Sequence, residues 1–275
     1  MSLSRVFGSI FSPEQPQVAQ TNFDLVQNMN RMLSSSEEYP PPAPDQKYRV
    51  SHVIKLCPRE EALRFVHQIP RIDKVEAGLR RTFDMGKAFH TLVQNEWFGR
   101  WGWLLGDWEC LRCRKMHRDT TIPKSCQSCF QSDFFYHELT PANEEHGITA
   151  HLDGVLLVGG KRKILELKTA NSMQFGLVAN TNRKPQEAHR RQVNMYMFLT
   201  GIKESVILYF NKNESTVHQF EEQLDEAIVK EMLANLKLAR DSMRAGTVPE
   251  QRICDSKQCS RAKQCPVRDL CFKKN

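Results

Sequence analysis

Asp153 opens an apolar run, Gly159-Gly160 provides a turn, and a second apolar run ends on Glu166-Leu167-Lys168. Two strands joined by a tight turn would bring two carboxylates and one ammonium together on neighbouring backbones. That combination can hold a divalent cation, position an attacking water and offset charge on a phosphodiester. An Asp followed by Glu-x-Lys also occurs at solvated strand ends, so the reading depends on the rest of the chain.

A second chemistry lies in the nine cysteines. Cys110-x2-Cys113 and Cys126-x2-Cys129, separated by 12 residues, have the spacing that closes a tetrahedral four-thiolate zinc site. Trp108, Phe130, Phe134 and Phe135 would pack around a ribbon too small for a core of its own. Such a zinc could simply fold residues 108–134, or the ribbon could grip nucleic acid through Arg112, Arg114, Lys115 and Arg118. The other five are Cys57 near the start and Cys254, Cys259, Cys265 and Cys271 at the end. A 4Fe-4S cluster needs four thiolates and would clip the ends of the domain together, so that its loss loosens the whole domain. A second zinc site or unrelated buried thiols are the alternatives at this point.

The elements that must position these groups follow from periodicity. Residues 12–46 are rich in Pro, Gln, Ser and Asn and predict a disordered tail or linker over 1–46. Leu3, Val6, Phe7, Ile10 and Phe11 within Ser2–Ser12 could form an amphipathic docking turn. Beyond Tyr48 a helix is expected from Ser51 towards His67, broken near Pro58, and a second from Thr82 to Phe98 carrying His90 beside its apolar stripe. Ile148–Leu157 and Lys163–Lys168 form the hairpin, followed by a helix over Glu187–Thr200, a strand over Ser205–Phe210 and a helix from Glu222 to Met243. The fold class is α/β, a central mixed sheet flanked by helices, with one main domain over 47–275 and the ribbon inserted in it.

Charged residues at 26% and hydrophobic ones at 40% are those of a globular protein. The total charge of +7 hides an asymmetry: residues 1–46 hold two arginines against five acidic residues, a net −3, which leaves +10 on residues 47–275. A polyanionic partner is expected. The first residues lack the pattern of a secretory leader, so a reducing, cytoplasmic compartment is expected, and no run is long and apolar enough for a membrane.

Taken in order, Cys57-Pro58-Arg59-Glu60, Gly86-x3-His90, Asp153-Gly154, Glu166-x-Lys168, Gln192-x3-Tyr196 and Cys265-Pro266-x4-Cys271 resemble the motifs of RecB-type iron-sulfur nucleases of the PD-(D/E)xK superfamily. The nearest likeness is to the small CRISPR-associated RecB-like exonucleases and their phage relatives. The resemblance covers residues 48–275. It implies a restriction-endonuclease-like sheet, and Mg2+ or Mn2+ held by His90 Nε2, Asp153, Glu166 and the Leu167 carbonyl. It also implies Lys168 as the catalytic ammonium, with Gln192 and Tyr196 placed over the site, and a 4Fe-4S cluster on Cys57, Cys254, Cys265 and Cys271. The expected substrate is DNA, single-stranded or with free ends, cut 5′→3′ in a bacterial or phage-infected cell. The tail is a candidate docking segment for a replication, recombination or CRISPR-adaptation protein. Two features depart from the pattern: the ribbon is not part of it, and four terminal cysteines stand where three are expected. Cys254 is preferred to Cys259 because it follows the Pro249 segment. The rival reading is a non-catalytic DNA-end-binding or assembly module, which predicts a broken set of metal ligands.

Overall fold

The computed structural model describes residues 24–273; the Ser2–Ser12 segment and residues 1–23 of the expected tail lie outside them. Asp24 caps α1 (Leu25–Leu33) by accepting from Gln27 N, and β1 (Ser35–Tyr39) follows, where composition predicts only a tail. No side chain of α1 is buried. After β2 (Tyr48–Arg49), α2 (Val50–Val53) and α3 (Pro58–Val66) are separated as predicted, because Pro58 opens α3 where its missing N–H costs nothing. β3 (Arg71–Val75) then pairs antiparallel with β1, Ser35 opposite Val75. This long-range pairing orders β1, and local composition cannot reveal it. α4 (Ala77–Leu92) starts at Ala77 rather than Thr82 and continues into a π-helical turn, Val93–Phe98.

The remaining strands are β4 (Leu104–Cys110), β5 (Met116–Thr120), β6 (Phe134–His137), β7 (Ala142–Asn143), β8 (Ile148–Thr149), β9 (Gly154–Val158), β10 (Lys161–Ala170), β11 (Glu204–Asn211) and β12 (Val217–Gln223). They are joined by the helices α5 (Ser172–Gly176), α6 (Glu187–Thr200), α7 (Glu226–Ala245), α8 (Ser260–Gln264) and α9 (Arg268–Cys271). The main sheet runs β12-β11-β10-β9-β4-β5, with β6 also paired to β4. Only β10 and β11 are parallel within it, which requires the crossover supplied by α5 and α6. β9 and β10 form a hairpin, but the expected first strand over Ile148–Leu157 is split: Ile148–Thr149 is β8, in a separate sheet with β2 and β7, and Asp153 lies just ahead of β9. Gly159 and Gly160 both take positive φ, 59° and 76°, as a two-residue turn matching strand twist demands.

The start of the last long helix is corrected. The segment beginning at Glu222 is not yet helix: β12 occupies Val217–Gln223, and α7 starts after Asp225, whose carboxylate accepts from Ala227 N and Ile228 N. The cysteine ribbon shares a strand, β4, with the main sheet: Leu104 and Leu105 pair with β9 while Asp107–Cys110 pair with β6. Trp108, fully buried in a core with Val93, Leu104 and Tyr136, donates Nε1–H to Thr120 O at 3.1 Å and ties β5 to β4.

Side chains alternate between the two faces of the sheet. Ile164, Ile207 and Tyr209 join α6 and α7 in one core, and Leu165, Leu167 and Leu104 join Val93, Trp108 and Tyr136 in another. No helix among the described residues is long and apolar enough to cross a membrane.

Candidate active site

Hairpin register pairs Leu165 with Gly154, so Asp153 and Glu166 meet one step further along the two strands. Leu167 N–H donates to Asp153 Oδ2 at 2.7 Å, which leaves Oδ1 facing α4. There His90 Nδ1 lies 3.2 Å from Oδ1. Nδ1 is thus the nitrogen directed at the carboxylate. Gly86, His90 and Gln94 recur at i, i+4 and i+8 and form one stripe. An added Cβ on Gly86 would lie at ordinary contact distance, 3.8 Å, from Thr169 Oγ1, which places this turn of α4 against β10. Gln94 donates to the Asp153 carbonyl at 2.8 Å.

Glu166 and Lys168 share the opposite face of β10, with Lys168 Nζ 2.5 Å from Glu166 Oε1. Lys168 also donates to Gln192 Oε1 at 3.2 Å, and Gln192 Nε2 donates to Tyr196 Oη at 2.6 Å. Gln192 and Tyr196 stand four apart on α6, the spacing that puts both on one helix face. The chain thus brings His90, Asp153, Glu166, Lys168, Gln192 and Tyr196 into one connected set.

One member is absent from the sequence reading. Ligand atoms of Glu138, His90 and Asp153 all lie within 4.8 Å of one another. Glu138 belongs to no recognisable motif and looks no different in sequence from Glu144 or Glu145. His189 also borders the site: its Nδ1 is 2.6 Å from Tyr209 Oη, which accepts from Gln186 N at 3.1 Å.

Burial first, then the Asp153 charge, push the Glu166 carboxyl up to about 8 while Lys168 pulls it back. Burial alone would lower the His90 pKa, but the hydrogen bond and charge of Asp153, with Glu166, carry it above its ordinary value. His189 falls to about 3 through burial and then the Lys168 ammonium. Asp153 and Glu138 thus group with His90, while Glu166 sits beside them paired to the Lys168 ammonium. Oxygen donors with one imidazole are a donor set that could hold a divalent ion.

The thiols gather in two places. In the ribbon, the Sγ atoms of Cys110, Cys113, Cys126 and Cys129 lie within 4.8 Å of one another, with Cys110 to Cys129 and Cys113 to Cys126 each 3.5 Å. Bonds of about 2.3 Å to a tetrahedral zinc give sulfur separations of about 3.8 Å, so the group needs little adjustment to take the ion. Backbone N–H donation, from Ser128 above all, draws Cys126 down to about 5, towards the thiolate that ligation requires. At the other place, Cys57, Cys254, Cys265 and Cys271 line one small cavity between the start of α3 and α8–α9. Cys259 instead caps α8, accepting from Ala262 N at 3.3 Å. Burial, with Glu60 and the neighbouring thiols, pushes Cys265 up to about 12.

No protein-family model and no curated protein matches the chain. Among solved structures it is similar to SSO0001, at 14% identity and a TM-score of 0.41 over 83% of this chain and 86% of that one. It is also similar to the alkaline exonuclease LHK-Exo from Laribacter hongkongensis, at 14% identity and a TM-score of 0.44 over 72% and 88% of the two chains. LHK-Exo in complex with dAMP gives the same identity and TM-score over 74% and 90%.

Proposed function

We propose that the protein is a metal-dependent nuclease that hydrolyses DNA phosphodiester bonds, acting on single strands or free ends. The observation that carries this reading is the connected set itself: Asp153 Oδ1 at 3.2 Å from His90, and Glu166 joined through Lys168 to Gln192 and Tyr196. Asp153, His90, Glu166 and the Leu167 carbonyl are the groups that would hold Mg2+ or Mn2+. When bound, such an ion supplies Lewis acidity at a phosphate oxygen and an attacking water of lowered pKa. Lys168 has three N–H donors. Glu166 and Gln192 engage two of them, and the third is free to reach a phosphate oxygen or the water. Gln192, held by Tyr196, fixes the direction of that third donor. The surplus positive charge on residues 47–275 draws the polyanion to the site.

In this reading the ribbon thiols hold zinc, and Cys57, Cys254, Cys265 and Cys271 hold a 4Fe-4S cluster, with Cys259 left to its cap. One main domain over 47–275 houses the chemistry, and the N-terminal segment is left to partner recruitment. A non-catalytic end-binding module is the weaker reading, because it predicts a broken set and the chain retains Asp153, Glu166 and Lys168. The test is degradation of end-labelled single-stranded DNA with Mn2+. Asp153→Ala should lose activity by roughly 10²-fold to 10³-fold or more, on the scale of removing an electrostatic catalytic group. Equal rates for wild type and variant would remove the assignment.

A further inference from the structure

We infer that Glu138 is a further ligand of the same divalent ion and that the cysteine ribbon, by delivering Glu138, sets the affinity of the site for metal. This rests on the nuclease reading above and gives the ribbon a role in it.

The path is short. β6 leaves the thiol knuckle and pairs with β4 from Cys110 opposite Phe134 to Asp107 opposite His137. Glu138 is the next residue. The same β4 strand carries Cys110 of the zinc group and, through Leu104 and Leu105, pairs with β9, which Asp153 precedes. A shift of the knuckle therefore reaches Glu138 and the flank of Asp153 along one continuous strand pair.

Two amides pin the delivered residue to the helix that bears His90. Asn95 Oδ1 accepts from Tyr136 N at 2.7 Å, fixing the strand two residues before Glu138. Gln94, buried to 5% exposure, donates through Nε2 to Glu138 Oε1 at 3.0 Å and to the Asp153 carbonyl at 2.8 Å. One carboxamide thus ties the two acidic residues into a single unit, with ligand atoms of Glu138, His90 and Asp153 within 4.8 Å of one another. A carboxylate this near Asp153 repels it unless a cation lies between them. If Glu138 served only as an acceptor for Gln94, a neutral side-chain carbonyl in its place would do as well.

That contrast defines the experiment. Mn2+ would be titrated calorimetrically into the full-length protein loaded with its other metals, with zinc and iron contents measured on each preparation. Glu138→Gln keeps the acceptor and removes the charge, and should weaken Mn2+ binding about tenfold, at the lower end for loss of a supporting group at a metal site. Asn95→Ala leaves every thiol in place and releases Tyr136, and should weaken binding severalfold. Cys126→Ser should lose zinc and weaken Mn2+ binding at least as much as Asn95→Ala. Wild-type affinity in Glu138→Gln, with binding abolished in Asp153→Ala, overturns the inference and leaves the nuclease reading standing. Wild-type affinity in Asn95→Ala and in a folded, zinc-free Cys126→Ser removes the role of the ribbon. Undiminished binding in Asp153→Ala defeats the site assignment itself.

Discussion

Lys168 shows how the site is tuned residue by residue. Its ammonium is held from one side by Glu166 and from the other by Gln192, whose own amide is anchored on Tyr196. Removing the anchor should leave the charge in place and lose its direction. Gln192→Ala is therefore expected to lower kcat about tenfold with little change in KM, the pattern of an interaction made mainly in the transition state. Tyr196→Phe should have a smaller effect of the same kind. Steady-state kinetics on labelled single strands would check both, and a rise in KM at unchanged kcat would reassign Gln192 to substrate binding. The distribution of these residues along the chain explains what the sequence made readable. Asp153 and Glu166 face each other across a two-glycine turn, and Gln192 and Tyr196 across one helical turn, so short-range geometry joins each pair. Glu138 reaches the site through the pairing of β6 with β4 and a contact from Gln94, 44 residues away in sequence. No local spacing encodes that meeting.

At the scale of elements, α6 carries a built-in sensitivity to acid. His189 lies in its first turn, where the helix dipole disfavours an imidazolium, and its Nδ1 faces a Tyr209 hydroxyl that already accepts from Gln186 N. The folded imidazole takes a proton only near pH 3, whereas in the unfolded chain it does so near 6.5. Stability from this group is thus fully present above pH 6.5 and is lost as the pH falls towards 3. The loss is about 1.4 kcal/mol per pH unit once the unfolded imidazole is charged. Urea denaturation of wild type and His189→Gln at pH 7, 6 and 5 should show the gap between them changing by that slope; parallel curves would contradict it. Helices with strong markers, such as Pro58 at the start of α3 or the apolar stripe of α6, were legible. β12 was not, because Val217–Gln223 is an edge strand with exposed residues alternating along it and Phe220 as its main apolar contact. Its pairing with β11 supplies the order that its own composition lacks.

On the scale of the whole molecule, the two ends of the domain meet at α3. Arg59, in its first turn, donates to Pro249 O and, at 3.5 Å, to Cys271 O, and Arg261 reaches back to Lys55 O. Cys57 stands at the N-cap of the same helix and lines one cavity with Cys254, Cys265 and Cys271. Few apolar side chains hold the terminal segment: Ala262 and Val267 are its buried ones. A cluster bridging these thiols would close a loop of almost two hundred residues, for which loop-closure reasoning gives roughly 5 kcal/mol. Cys265→Ser should therefore lower denaturant stability by about that amount, with iron lost and zinc retained, since the ribbon thiols are untouched. Release should begin at the terminal segment, so limited trypsin digestion should cut first at Arg252, Lys257 or Arg261 in the variant and leave those sites protected in the iron-loaded protein. A variant that loses its iron yet matches wild type in both stability and cleavage pattern would show that arginine lacing, rather than thiolate ligation, holds the ends of this domain together.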